Sequence, residues 1–234
     1  MDHRLLDVIT FMANEKFNVT PFTSCSKMLR KDALIWDAIK DIPGPSGRTR
    51  LMYAAYKGDL ERVKWLVDRG AQIESKDLDG NTILIYACRS GNPELVEYLC
   101  KLGVDVNRIS ISRWTPLIWT CILGFHKVIK VLCMYGADVN MAVPNGNTPL
   151  MWACQSRNVN AVRELCKHGA NVNATTTTGW TALKTAIPIK CIDIILELCS
   201  RGAVITQEII DNATKNTYIT SRQRRWDGTR LIGF

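Results

Sequence analysis

GNTPLMWACQSRNVNAVRELCKHGANVNATTTT, residues 146–178, contains one complete structural unit. Thr148 is placed to be a helix N-cap, its hydroxyl accepting from backbone N–H groups of the first turn. Pro149 suits the first helical position, where φ is already set and no N–H partner is missed. Leu150, Ala153 and Cys154 recur at i, i+3 and i+4 and mark one face of a short helix. A break near Arg157-Asn158 precedes a second helix with Ala161, Val162 and Leu165 facing inward. Gly169 is placed to take a left-handed conformation and stop that helix. Ala170 to Gly179 then runs extended and turn-rich into the next unit.

Outward from this stretch the pattern returns every 33 residues, in register from Gly47 to about Thr206. Thr49, Thr82, Thr115, Thr148 and Thr181 share a column, as do Leu51, Leu84, Leu117, Leu150 and Leu183. Leu66, Leu99, Leu132, Leu165 and Leu198 form a third, and Gly70, Gly103, Gly136, Gly169 and Gly202 a fourth. A fixed period of about 20–50 residues marks a repeat array, in which each unit buries its apolar face by stacking on its neighbours. Arrays of this kind present an extended surface and rarely carry chemistry.

Helix, turn, helix, glycine stop and hairpin, with Thr-Pro-Leu at the start and Gly-Ala-[Asp/Asn]-Val-Asn after the second helix, resembles the ankyrin repeat. The resemblance covers five units, 47–79, 80–112, 113–145, 146–178 and 179–206. It implies an all-α ankyrin-repeat solenoid between an N-terminal helical element (1–46) and a C-terminal cap with a basic tail (207–234). The chain departs from the pattern in places. Thr-Pro-Leu is intact only in units three and four, and Arg157 and Lys190 stand where Gly58, Gly91 and Gly124 stand elsewhere. Pro188 near the end of a first helix predicts a distorted fifth unit. Gln207–Ala213, with Ile209 and Ile210, predicts a short closing helix.

Ankyrin arrays, as the resemblance implies, bind protein partners on a concave face made of hairpin tips and the exposed side of each first helix. On matching positions the tip residues are Arg48, Asn81, Trp114, Asn147 and Trp180. The helix ends contribute Tyr56, Lys57, Arg89, Ile122, Leu123 and Gln155. Trp114 with Ile122 and Leu123 predicts an apolar patch at mid-array, although a tip Trp also packs flat on a neighbouring hairpin. Truncating a Trp hot spot costs roughly 2 kcal/mol or more of binding energy. The column Tyr53, Tyr86, Trp119, Trp152 is expected to stack between units.

Residues 5–12, LLDVITFM, are apolar on nearly all sides, and Pro43, Gly44 and Pro45 break the chain before the first unit. A helix of that kind must be covered on more than one side. LLDVITFM followed by CSKMLRKDALIWDAI (25–39) resembles an F-box, with Leu5, Leu6, Ile9, Phe11, Met12, Ser26, Lys27, Leu34 and Trp36 at matching positions. The opening Leu-Pro of that family is absent and the spacing to Trp36 is tight. The resemblance implies docking onto the adaptor subunit of a cullin–RING ubiquitin ligase, the repeats choosing the substrate. The competing expectation is an N-terminal cap on the array of a scaffolding protein.

Composition narrows the function further. The net charge of +8 is spread thinly, residues 1–46 being balanced and Arg222, Arg224, Arg225 and Arg230 forming the densest cluster, in the tail. That tail reads as a solubilising segment before it reads as a nucleic-acid site. Of nine cysteines, Cys88, Cys121 and Cys154 share one column and Cys100, Cys133, Cys166 and Cys199 another, where Ala55, Ile187 and Val67 also occur. Such columns are small hydrophobic positions, so neither zinc nor a disulfide framework is expected, and a reducing compartment is. Three histidines without a metal spacing, no phosphate loop and no paired carboxylates leave no catalytic constellation. No cofactor is expected. Without a signal-peptide pattern or an apolar run near the roughly 20 residues of a membrane span, the expected location is cytoplasmic, with the nucleus as the alternative.

Overall fold

The computed structural model describes residues 41–207, 209 and 210. Ten α-helices and no strands occur among them, in agreement with the all-α expectation. They come in helix-turn-helix pairs: α1 (Arg50–Tyr56) with α2 (Leu60–Val67), and α3 (Ile83–Ser90) with α4 (Pro93–Lys101). Next come α5 (Pro116–Leu123) with α6 (His126–Met134), and α7 (Pro149–Gln155) with α8 (Val159–Lys167). The last pair is α9 (Ala182–Ile189) with α10 (Ile192–Ser200). The F-box-like residues Leu5, Leu6, Ile9, Phe11, Met12, Lys27, Leu34 and Trp36 lie outside the described residues, as does the arginine cluster of the tail.

Caps explain where the helices begin. The hydroxyls of Thr49, Thr115, Thr148 and Thr181 accept from the N–H groups of Met52, Ile118, Met151 and Lys184 at 3.1–3.4 Å. Thr82 has the same extended backbone but makes no such bond. Asp59, Asn92 and Asn158 cap second helices α2, α4 and α8, whereas α6 and α10 begin at Phe125 and Cys191 without a side-chain cap. Each cap contributes about 1 kcal/mol. First helices α3 and α5 stop at left-handed Gly91 and Gly124. Arg157 and Lys190 take the same conformation in the same column, with φ of 57° and 59°. Substitution of the glycine has left the turn intact and added strain, since an L side chain in this region crowds the following carbonyl. Pro188, where the sequence predicts distortion, lies inside a helix that continues to Ile189.

The described residues divide into two units, one made of residues up to 104 with 108–112, the other of 105–107 and the residues from 113 onward. In the first, α1 packs along α3, with Leu51, Met52, Ala55, Leu84 and Ile85 buried. In the second, α5, α7 and α9 stack in one row and α6, α8 and α10 in another. The leucine column Leu132, Leu165 and Leu198 is fully buried there, as are Leu66 and Leu99 in the first unit. A buried leucine stabilises by roughly 1.5–3 kcal/mol, so each helix pair depends on its neighbours for most of its stability.

The loops after the second helices are tied by an asparagine ladder. Asn107 Oδ1 accepts from the Asp138 N–H at 2.8 Å while its Nδ2 donates to the Gly136 carbonyl at 3.0 Å. Asn140 does the same with Asn171 and Gly169, and Asn173 with Val204 and Gly202. In the first unit Asp41 accepts from the Gln72 N–H at 2.8 Å, in the column that Asn107 occupies later. Residues 44–48 also form the turn seen at 77–81, with Gly44 N–H donating to the Arg48 carbonyl and Gly47 N–H to the Gly44 carbonyl. Among the described residues the repeat hydrogen-bond pattern is therefore already present at Asp41, ahead of the Gly47 at which the sequence columns begin. At the other end, Ile209 is buried and the N–H groups of Ile209 and Ile210 donate to the Thr206 carbonyl, opening a helical turn where the sequence predicts one.

Candidate functional site

The first-helix ends and hairpin tips of the first unit bring together cations and tyrosines. Arg48 follows the 44–47 turn and Tyr56-Lys57 ends α1, while Tyr86 lies within α3 and Arg89 at its end. The Arg48 guanidinium stands 5.3 Å from the Tyr86 ring centre. Arg89 lies 5.8 Å from Tyr86 and 5.5 Å from Tyr56, and these two rings meet edge-on at 6.3 Å. The Lys57 ammonium lies 5.5 Å from the Tyr53 ring and 6.0 Å from Tyr56. Arrangements of this kind are worth about 0.5–2 kcal/mol each and hold the long basic side chains in place.

Beneath the cluster is a buried carboxylate. Asp77 accepts from the Tyr86 hydroxyl, from Asn81 Nδ2 at 2.9 Å, and from the N–H groups of Asn81 and Asp79 at 2.7 and 2.9 Å. Burial pushes its pKa up, but the hydrogen bonds from Tyr86 and Asn81 outweigh burial and hold it below the ordinary value. Burial first, then the hydrogen bond to Asp77 and its negative charge, push the Tyr86 phenol up to about 12, Arg48 opposing them. Asn81 is thereby drawn inside, only 7% exposed, so the expected role of this tip residue as a surface contact is corrected. Its place at the tip is taken by Leu78, and Ile111 stands at the next tip; they are 70% and 73% exposed. Their N–H groups donate to the carbonyls of Ser46 and Asp79, which fixes both tips.

The second unit shows a different face. Trp114 lies against Trp119 at 4.9 Å and Trp152 at 5.5 Å and is half-buried. Trp114 thus bridges Trp119 and Trp152 of the aromatic column, while in the first unit Tyr86 meets Tyr56. Ile122 is half-buried, and only Leu123 of the expected mid-array patch is well exposed. Asn147 is half-buried with its N–H on Asn145 Oδ1 at 3.0 Å, and Gln155 is exposed. Trp180, 48% exposed, borders a groove of about 450 Å³ with Asn145, Gln155, Thr176 and Pro188. No charged side chain lines this groove.

Remaining groups are structural. Burial raises the thiol pKa of Cys100 and Cys133 to about 11 and of Cys154 to about 12, and pushes that of fully buried Cys121 well above its ordinary value. Thiols held protonated in this way are poor nucleophiles. Glu197 joins α8 to α10 through Arg163 at 3.1 Å and meets Arg201 at 3.0 Å; these bonds overcome its burial and lower its pKa. Among the described residues no group of three or more His, Cys, Asp or Glu is placed to hold a metal ion. No helix among them is long and apolar enough to cross a membrane.

Asp77, Leu78 and Ile111 are not among the residues that the repeat columns single out. The available signal was the Asp-Leu-Asp-Gly-Asn run at 77–81, because Asp accepts from backbone N–H groups two and four residues on and so organises a turn. Among known families, the model for ankyrin repeats (three copies) matches the chain over residues 51–143 and 138–209. No curated protein shows a significant match to the chain.

Proposed function

Since the chain belongs to the ankyrin-repeat family, whose arrays are protein–protein interaction modules and generally not enzymes, we propose that it is a substrate-recognising adaptor of a cullin–RING ubiquitin ligase. In each unit the partner-binding residues are those of the first-helix ends and hairpin tips: Arg48, Tyr56, Lys57 and Arg89 in one, and Leu123, Gln155 and Trp180 in the other. The observation that carries the binding reading is the contrast within each repeat. Capping threonines and core leucines recur unit after unit, while side chains at tips and helix ends differ in charge, size and shape. A surface that varies on a constant frame is suited to recognising a partner.

The F-box-like residues of 1–46 support the ligase side of the reading, in the cytosol or nucleus. Its test is capture of the ligase adaptor subunit by the full chain, comparing wild type with Leu6→Asp and Ile9→Asp. The substitutions are expected to abolish capture while α3 to α8 stay folded by circular dichroism and hydrogen exchange. A wild type that never captures the adaptor ends the ligase reading. A second reading, a scaffolding subunit in which residues 1–46 only cap the array, draws on one observation: Asp41 and the 44–48 turn already continue the repeat hydrogen-bond pattern upstream. Under that reading Leu6→Asp destabilises α1 and α2 and no adaptor is captured.

A further inference from the structure

Charge is distributed unevenly over the binding side. In the first unit its tip and helix-end positions carry Arg48, Lys57 and Arg89; the matching positions of the second unit are Trp114, Asn147 and Trp180 at the tips, and Ile122-Leu123, Gln155-Ser156 and Pro188-Ile189 at the helix ends, all uncharged. The three cations are not scattered, because the rings of Tyr53, Tyr56 and Tyr86 gather them into one contiguous cluster. Three cations gathered in one place concentrate positive potential, which favours a partner carrying carboxylates. Asp77, the acid directly below, is buried and already accepts four hydrogen bonds, which leaves Asp79 as the exposed acid of that tip.

Apolar groups stand beside this charge. A Cβ built on Gly47 would lie 3.1 Å from Leu78 Cγ, so the Leu78 side chain covers the glycine that precedes Arg48. One tip further, Ile111 Cγ1 lies 3.2 Å from the corresponding point on Gly80. Both side chains are held out by hydrogen-bonded backbones, and Leu78 lies beside the glycine that precedes Arg48, so apolar surface adjoins the basic cluster.

From this juxtaposition we infer that the first unit docks an acidic, leucine-bearing stretch of polypeptide. Its carboxylates meet Arg48, Lys57 and Arg89, and its aliphatic side chains meet Leu78 and Ile111. The inference rests on the partner-binding reading above and supplies the chemistry of one half of the surface. A nucleic acid fits the same charge but not its setting. Tyr86 is buried with Arg48 and Arg89 against its ring, and the exposed ring of the cluster, Tyr56, already has Tyr86, Arg89 and Lys57 around it, so neither offers an open platform on which a base can stack. A sugar–phosphate strand also leaves Leu78 and Ile111 uncovered.

The test uses the full chain and fluorescence anisotropy with a short synthetic peptide of glutamates interspersed with leucines. Comparison probes are the same peptide with glutamine for glutamate, and a single-stranded oligonucleotide of equal charge. The glutamate peptide is expected to bind and to weaken as salt rises. The combined Arg48→Gln, Lys57→Gln, Arg89→Gln variant is expected to bind it at least about tenfold more weakly. Lys57→Glu alone, at an exposed position clear of the Asp77–Tyr86 pair, is expected to weaken it in the same direction with only a small fall in the thermal midpoint, from the lost contacts with Tyr53 and Tyr56. Met134→Gln, exposed on α6 in the other unit and at neither a tip nor a first-helix end, leaves peptide affinity unchanged. Equal binding of the glutamine peptide, tighter binding of the oligonucleotide, or unchanged affinity in both basic-cluster variants overturns the inference. Adaptor capture through Leu6 and Ile9 is read in a separate experiment, so failure here is distinguishable from failure of the ligase reading.

Discussion

The two units build the same helix pairs and put opposite chemistry on them. In the first, a buried carboxylate organises the tip, and cations lie on tyrosines around it. In the second, the groove beside Trp180 is lined by amides, hydroxyls and apolar groups without a charge. Position 77 shows how one residue sets the difference. Asp77 takes the N–H groups of Asp79 and Asn81 and buries the Asn81 side chain; Val143, in the same column, has no acceptor, and Asn147 stays half-exposed. Thr176, one repeat later, accepts from the N–H groups of Thr178 and Trp180 but has no carboxylate to draw a side chain inward. The frame and the face are thus under separate control.

The largest effect is expected from removing the acid. Asp77→Ala leaves the Tyr86 hydroxyl, the Asn81 amide and two N–H groups without their acceptor, and should cost about 2–4 kcal/mol of stability. Thr176→Ala, which frees two N–H groups at an exposed tip, should cost about 1 kcal/mol or less. Denaturant unfolding of both variants checks the contrast, and equal costs would show that Asp77 is no anchor. The same pair predicts the pH dependence. Asp77 has a lowered folded pKa, so its contribution is complete above the unfolded value of about 3.8 and is lost as pH falls through the folded value. Tyr86 has a raised one, so its contribution is complete below 10 and is lost as pH rises toward about 12. Asp77→Asn should flatten both limbs of the stability profile, and Thr176→Ala neither.

Much of the frame is legible in the sequence because capping threonines, buried leucines and stop glycines act locally. Thr148 and Pro149 start a helix for reasons contained in the first turn itself. Side-chain direction at the tips is less legible, because it depends on an acceptor elsewhere in the turn: Asn81 and Asn147 share a column and differ through positions 77 and 143. Trp114 likewise lies between two partners, of which Trp152 comes from the following helix pair. The ladder residues Asn107, Asn140 and Asn173 stand out as a motif, but their bonds to carbonyls in the next loop become visible only in three dimensions.

A middle-sized effect concerns the end of the array. The α9–α10 pair contains Pro188, exits through left-handed Lys190 and starts α10 without a side-chain cap. Pro188 supplies no N–H to its helix, and each missing bond lowers the cost of local opening. Against this, Glu197 ties α10 to α8 through Arg163, an interaction worth about 0–1 kcal/mol at a partly exposed site. Opening should win. Amide exchange after about Ala186 should be faster than in 80–170, and uniform protection would show that the fifth pair tolerates its irregularities.

The smallest effect tests the turn between first and second helices, where the column changes from glycine to Arg157 and Lys190. Gly124 and Arg157 sit at equivalent turns with φ of 75° and 57°, so the backbone demand is the same and only the side chain differs. Holding an L residue in this region costs roughly 1–2 kcal/mol, and glycine returns part of that through its greater freedom in the unfolded chain, about 0.5–1 kcal/mol. Arg157→Gly should therefore stabilise by roughly 0.5 kcal/mol. The reverse change, Gly124→Ala, meets a second obstacle: a Cβ there would lie 2.9 Å from Asn158 Nδ2, which donates to the Gly124 carbonyl. It should destabilise by more than Arg157→Gly stabilises, because strain and displacement of the α8 cap act together. Matched denaturation curves decide the point. A loss of stability in Arg157→Gly would mean that the arginine side chain contributes more to its turn than the left-handed backbone costs.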